Sequence, residues 1–463
     1  MKRDATSVLV EDVSDETVTR DLDDQVSFKS MGKNGWRSIM PPPIHKHLLD
    51  RTQKNVGLIP YPNLRTVVSA PALLSDGSVH DAPGEYRCGV LFLAPQAQYP
   101  RVKDKPTRED AIAALDLFKP IFKEFPFKKI KEEEWYQTQS YSVVLAYILT
   151  LVARPALLAS VPLFTETAPV CRTGKTMTIE AGTYAALGHK VTTVTFIDEE
   201  EFGKQLLPLL MQQDRAEMVD NITKAFFSAK LAMCITGNSL KDRVLGESRT
   251  VDLSNRSVFS ATGNNLTVGG DLAYRALQID VDANVERPEE RKFDFDPIEL
   301  ARKSHPQLVT AALTALRSYL QAGQPWNLTR GGLGGFVEWD KLVSGCLTWL
   351  GYSDPVLTRQ AVIGEDPERA EHIEVLQAWY GEFGTEQVTL PDIEKKPSGP
   401  THKLLLHKAQ WDARVIGWRF RRMQSRVEGG LKLVKGTNKQ AWQVISAGGK
   451  TPAKAPDGED LPF

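Results

Sequence analysis

The residues whose types could do chemistry are concentrated in one stretch, Ala168-Pro169-Val170-Cys171-Arg172-Thr173-Gly174-Lys175-Thr176. A phosphate-binding loop needs small residues that let backbone N–H groups curl around oxygens. It also needs a lysine for the terminal phosphates and an adjacent hydroxyl for a Mg²⁺ ion. Thr173 and Gly174 offer the small residues, Lys175 the charge and Thr176 the hydroxyl. A full pattern would also place glycine at 169, where the chain has Pro169, and a small residue at 172, where it has Arg172. The competing reading is a Gly-Lys turn at the head of an ordinary helix.

Such a loop must be held between a buried strand and a helix. The largely apolar run from Leu151 to Phe164 reads as the strand, and Met177 to Leu187 as the helix, closed by Gly188. A helix starting there aims its partial positive charge at the phosphates, adding to Lys175. Two acidic stretches compete for the metal. The β-branched run Val191 to Ile197 ends in Asp198-Glu199-Glu200-Glu201, and by local pattern this leads. The rival, Met218-Val219-Asp220-Asn221, follows a short and weakly apolar strand. Glu199 to Leu210 also reads as an amphipathic helix with acids in its first turn, which explains the acid run without any metal.

Further on, Arg249 to Leu253 and Ser257 to Thr262 alternate as two strands joined through Ser254-Asn255, the second ending at Gly263-Asn264-Asn265. An amide at such a strand tip can hold an attacking water or a γ-phosphate, and Asn and Gly are equally at home in a plain turn. Gly270 to Tyr274 reads as a short helix closed by Arg275, which serves either as a C-terminal cation or as an arginine finger.

Composition bounds the rest. The 463 residues, 41% hydrophobic and 25% charged, suit a soluble protein of two to four domains. No apolar run is long enough to span a bilayer and Met1 to Val10 lacks a signal-peptide core, so the expectation is a cytoplasmic protein without membrane partners. Cys88, Cys171, Cys234 and Cys346 lie far apart and form no metal or disulfide pattern. The formal net charge of −1 conceals a split: residues 1–28 hold eight acids against three bases, and residues 401–445 hold ten Lys or Arg against two acids. A basic region confined to one end is what a nucleic-acid footprint on a single module looks like.

In chain order the reading is a flexible acidic arm over 1–56, a small N-terminal α+β domain over 57–154 and a nucleotide-binding core over 155–285. A helical lid over 286–384, a linker over 385–410, a basic winged-helix-like module over 411–446 and a disordered tail over 447–463 follow. Within these, Ile44 to Arg51 reads as a short helix, Glu132 to Ala153 as a long one with acids in its first turn, and Pro306 to Gln321, Phe336 to Leu350 and Asp366 to Phe383 as the lid. Ala413 to Arg426 is a basic helix before a hairpin tipped by Lys435 and Lys439. Arg414, Arg421 and Arg422 share a helix face, with Lys408 shortly before it.

Several stretches together resemble the ATPase half of primase–helicase replication proteins of phages and integrated mobile elements, of the AAA+ class. They are Leu64 to Pro71 with Asp76-Gly77, Thr167-Ala168-Pro169 before Gly174-Lys175-Thr176, Asp220-Asn221, and Lys241 to Gly246. Ala261 to Asn265 followed by Gly270 to Arg275, Val285 to Arg291 and Arg426 to Leu431 complete the set. The resemblance implies an α/β AAA+ P-loop core that binds ATP and Mg²⁺. It makes Asp220, beside Asn221, the Mg²⁺ aspartate and puts Asp198 to Glu201 at a helix start. Asn264 becomes the sensor of the γ-phosphate, Arg275 the arginine that reaches a neighbour's nucleotide and Arg243 a second inter-subunit candidate. Departures from the family are Arg172 and the polar text of Arg215 to Val219.

The function expected is an ATP-dependent DNA helicase or translocase, assembled as a homo-oligomeric ring, most simply a hexamer, and working with a separate primase. Its DNA contacts would include Arg414, Arg421, Arg422, Lys435 and Lys439. The alternatives are an ATP-binding DNA scaffold or loader with little turnover, and an AAA+ defence or stress switch.

Overall fold

The computed structural model describes residues 66–93, 97–129, 132–170, 173–246, 248–291, 293–326, 332–406, 410–438 and 440–447, with four short strands nearer the N-terminus. Those four pair as two hairpins, Lys2–Asp4 with Ser7–Leu9 and Lys29–Gly32 with Gly35–Ser38. The expected helix from Ile44 to Arg51 lies outside the described residues, as do Cys171, Arg172, Lys408, Lys439 and the tail from Gly448 onward.

After the small cluster of Val68, Ala72, Leu74, Val90 and Phe92, the chain enters helix α1 (Arg108–Asp116), which Thr107 and Asp110 open with a reciprocal capping box. Helix α2 (Gln139–Ala153) follows, capped by the Thr138 hydroxyl. Every residue from Ser140 to Ala153 is buried, the mark of a helix wrapped by protein on all sides. Its start departs from expectation. Trp135–Gln137 form a separate 3₁₀ turn, and no acid lies in the first turn of α2, because the acids at 132–134 precede the Thr138 cap.

The core then alternates strand and helix: β1 (Leu163–Ala168), α3 (Lys175–Leu187), β2 (Thr192–Thr195), α4 (Glu199–Gln212), β3 (Ala216–Ile222) and α5 (Ala229–Gly237). A hairpin of β4 (Ser239–Arg243) and β5 (Thr250–Ser254) interrupts it before β6 (Val258–Asn264) and β7 (Ala276–Asp280). Five of these strands form one sheet, ordered β2-β3-β6-β1-β7 and parallel throughout. Parallel sheets need both faces covered. Helices α2 and α3 and the long helix α6 (Pro297–Gln321) share one continuous hydrophobic core with the sheet.

Four expectations are corrected. The strand feeding the loop is β1, whereas Leu151 to Ala153 end α2; two short apolar runs either side of Pro155 read as one. The boundary at 154 does not separate two cores, since Leu115, Tyr141 and Leu149 pack in the same cluster as Phe164 and Ile179. Strand β5 pairs with β4 and not with the strand after it, which is β6 of the central sheet; sequence adjacency suggested a hairpin that non-local pairing overrides. The text from Arg215 to Val219 is a full central strand: Ala216, Glu217, Met218 and Val219 are all buried, so its polarity comes from a glutamate inside the protein.

The C-terminal part also differs from expectation. Helix α7 (Pro367–Phe383), read as part of the lid, buries Val375, Leu376, Trp379 and Phe383 in a second core with residues up to Val444. The supposed linker holds β8 (Val388–Thr389), α8 (Leu390–Glu394) and α9 (Pro400–Leu405), and Val388, Ile393 and Leu405 enter the same core. Single inward residues in such short elements leave no periodicity to read. Helix α10 (Ala413–Met423) and strands β9 (Val427–Glu428), β10 (Leu431–Lys435) and β11 (Ala441–Ser446) complete an antiparallel sheet ordered β8-β11-β10-β9. Trp379, Phe420 and Trp442 meet edge-on, at 5.5 Å and 5.4 Å between successive rings; each such pair adds about 0.5–1.5 kcal/mol.

Candidate active site

In open parallel sheets, ligands bind beyond the carboxyl ends of the strands, and the suspected loop leaves that edge at Ala168. Gly174 ends the loop with φ of 102°, and a Cβ there would stand 3.6 Å from the Phe125 ring. Few side chains adopt that backbone conformation, so glycine is required by the turn into α3. The Thr173 hydroxyl donates to the Val170 carbonyl at 2.6 Å, closing the loop on itself.

The neighbouring strand β6 runs in register with β1, so that Ala168 stands opposite Asn264. The Asn265 amide donates to the Ala168 carbonyl (2.9 Å) and the Leu266 amide to the Thr167 hydroxyl (2.8 Å). These bonds fix the tip of β6 against the start of the loop. Lys175 Nζ donates to Asn264 Oδ1 at 2.6 Å.

Strand β3 contributes the acid. Its register against β6 shifts between Val219 and Ile222, and Asn221 at the shift has φ of 56°. Bulges re-aim side chains. Here Asp220 Oδ1 accepts from Thr176 Oγ1 at 3.0 Å and from Thr262 Oγ1 at 2.5 Å, while the Asn221 amide donates to Thr262 Oγ1 at 3.3 Å. Lys175, Thr176, Asp220 and Asn264, from one helix and two strands, therefore meet at one edge. One carboxylate and one hydroxyl are the hard oxygen set that suits a Mg²⁺ ion carried on nucleotide phosphates.

The rival acids do not join them. Asp198 caps α4 by accepting from the Glu201 amide (2.9 Å), Glu199 accepts from the Ala229 amide (2.8 Å), and Glu200 and Glu201 pair with Lys204 at 3.1 Å and 2.6 Å. Arg275 also lies elsewhere, just before the amino end of β7, where Leu163 stands opposite Ala276. At ~3.3 Å per residue it is on the order of 20 Å from the loop of its own chain. Its Nε donates to Thr236 Oγ1 at 2.5 Å and its Nη1 to the Asp271 carbonyl. Arg243 ends β4 beside a hairpin tip whose Leu245 is 79% exposed.

A residue that the pattern reading passed over is Glu166, inside β1 and fully buried beneath the loop. Burial pushes its carboxyl well above the usual range, opposed by Thr178 and the charge of Lys175. Burial likewise pushes Glu217 up to about 9, with Asp214 adding to it. Both acids lie in strands that carry other polar residues as well, so hydrophobic pattern gives no signal for either.

The basic module disposes of its cations unevenly. Arg422 pairs with Glu368 and lies 4.8 Å from the Trp418 ring centroid, Arg419 pairs with Glu371 at 2.6 Å, and Lys435 lies 3.6 Å from the Trp442 centroid. Arg414 and Arg421 are exposed.

The sequence matches no protein-family model and no curated protein. Among solved structures, it is similar to the apo C-terminal region of NrS-1, at 12% identity over 91% of this chain and 94% of that one, with a TM-score of 0.38. It is similar to SCCmec type IV Cch, an active helicase, at 10% identity over 94% and 86%, with a TM-score of 0.39. JCV helicase follows at 15% identity over 56% and 74%, with a TM-score of 0.25. At these TM-scores the likenesses carry no argument about chemistry, which rests on the geometry of the loop. No described helix is long and apolar enough to cross a membrane.

Proposed function

We propose that this chain is an ATPase of the AAA+ class that works as a DNA helicase or translocase in the replication of a phage or mobile element. The observation that carries the reading is the cluster at one sheet edge, where Lys175 meets Asn264 and Thr176 meets Asp220. In this reading Gly174 and Lys175 hold the β- and γ-phosphates, and Asn264 gives up its bond to Lys175 to orient water against the γ-phosphate. Thr176 and Asp220 would hold Mg²⁺, which when bound neutralises phosphate charge. The distance of Arg275 from its own loop supports action on a neighbour's nucleotide in a ring, and Arg414 and Arg421 would contact DNA phosphates.

A second reading, an ATP-binding loader with little turnover, is favoured by Asn221. The amide beside Asp220 cannot take a proton from water as a carboxylate would. Measuring ATP turnover by the full chain with and without single-stranded or duplex DNA, beside Lys175→Ala, separates the two. DNA-stimulated turnover lost in Lys175→Ala supports the helicase reading. Tight ATP binding without turnover supports the loader, and no ATP binding defeats both.

A further inference from the structure

Of the cavities that adjoin the loop, one has a largely apolar lining. It encloses about 190 Å³ and is lined by Ile121, Phe125, Thr173, Met177, Phe293 and Phe295 among others. Thr173 and Met177 flank the start of α3, so whatever fills the cavity is continuous with a ligand whose phosphates lie against Gly174 and Lys175. Pockets that enclose a whole drug-sized ligand run to ~300–1,000 Å³, and this one suits a single flat ring system.

Its walls are aromatic on two sides. Phe125 is nearly buried and sits over Gly174, whereas Phe293 is 53% exposed. Arg291 steadies Phe293, its guanidinium 5.0 Å from the ring centroid while Nη2 donates to the Glu124 carbonyl at 2.6 Å.

The polar side chains of the lining are engaged within the chain. The Glu124 carboxylate accepts from the Asp294 amide at 3.3 and 3.4 Å, and Asp296 Oδ1 caps α6 through the Ile298 and Glu299 amides. The Thr173 hydroxyl is bonded to Val170. Sites that reject a wrong substrate by ~10⁴-fold or more do so with polar groups left unpaired by it, whereas an apolar pocket discriminates far less.

We infer that this cavity is the nucleobase slot of the site, that it holds the base by stacking on Phe293 and does not read its edge, and that the chain takes ATP and GTP nearly alike. The inference rests on the nucleotide reading above and adds the substrate class.

The test is calorimetric titration of the full chain with Mg-ATP and Mg-GTP, for wild type, Phe293→Ala, Phe293→Trp and Lys175→Ala. The expected result is a ratio of ATP to GTP affinity within about tenfold. Phe293→Ala should weaken both by about 5- to 150-fold, the span of a lost base–aromatic stack, and Phe293→Trp should retain both. Phe293 is largely exposed, so these variants keep the fold, and a circular dichroism spectrum checks it. A ratio above tenfold, or an unchanged affinity in Phe293→Ala, overturns the inference while Lys175-dependent binding leaves the nucleotide reading standing. Absence of binding by the wild type would overturn both.

Discussion

The sheet edge around Asp220 and the C-terminal module are both rich in charge, yet they use it differently. At the sheet edge a few polar groups from distant positions converge: Lys175 on Asn264, Thr176 and Thr262 on Asp220. In the module many cations lie close in sequence, and several are spent inside the chain, Arg419 on Glu371 and Arg422 on Glu368. His372 adds a buried contact to Glu428 at 3.0 Å. Convergence of groups therefore distinguishes the two regions, whereas a count of charges mixes exposed cations such as Arg414 and Arg421 with those that pair helix α10 with helix α7.

The largest effect that would sharpen this contrast belongs to Arg275. If it serves a neighbour's nucleotide, Arg275→Ala keeps ATP binding and loses ~10³- to 10⁵-fold in turnover. It should also poison wild type when mixed in excess. Normal turnover would leave only its structural bonds to Thr236 and Asp271.

Next comes the pH response of the core. The folded-state pKa of Glu217, about 9, lies above the ordinary 4.5. The stability it contributes is therefore fully present below about pH 4.5 and lost as pH rises toward 9. Glu217→Gln cannot ionise, so chemical denaturation should show it gaining on wild type across that window, by up to ~1.4 kcal/mol per pH unit. Parallel pH curves would mean that the carboxyl is not held neutral.

The module should answer to salt instead. Replacing Arg414 and Arg421 together by alanine should flatten the salt dependence of DNA binding by about 1.8 on duplex or 1.4 on single strands, if each contacts one phosphate. An unchanged slope makes that face a solvated one. Cutting the chain after Pro400 is a poorer experiment, since it would strip Trp379 and Phe383 of their core. Arg422→Ala is the smallest change: its pair with Glu368 is part-exposed, so unfolding should shift by ~0–1 kcal/mol, with little change in the salt slope.

How much of this was legible follows from locality. The turn into α3 at Gly174, the helix from Glu199 and the strand end at Asn264 are each carried by a few adjacent residues, and local pattern is enough to read these elements. Strand β3 was obscured because Glu217 is buried, so hydrophobic pattern underrates a central strand. The pairing of β4 with β5, the shared core of α2 and the sheet, and the helices and strand inside the supposed linker depend on contacts between distant residues. Local pattern reports none of these. The acids at 198–201 show the reverse error: dense in sequence, they are engaged in a helix cap, a contact to α5 and surface pairs.

The central claim is that the carboxylate of the site comes from Asp220 and not from the acid run. Mg²⁺-dependent ATP turnover of Asp220→Ala against Glu200→Ala tests it directly. Glu200 only pairs with Lys204 at 3.1 Å on the surface, so Glu200→Ala should turn over ATP as wild type does, while Asp220→Ala binds nucleotide and does not hydrolyse it. Loss of turnover in Glu200→Ala with Asp220→Ala still active would contradict the account.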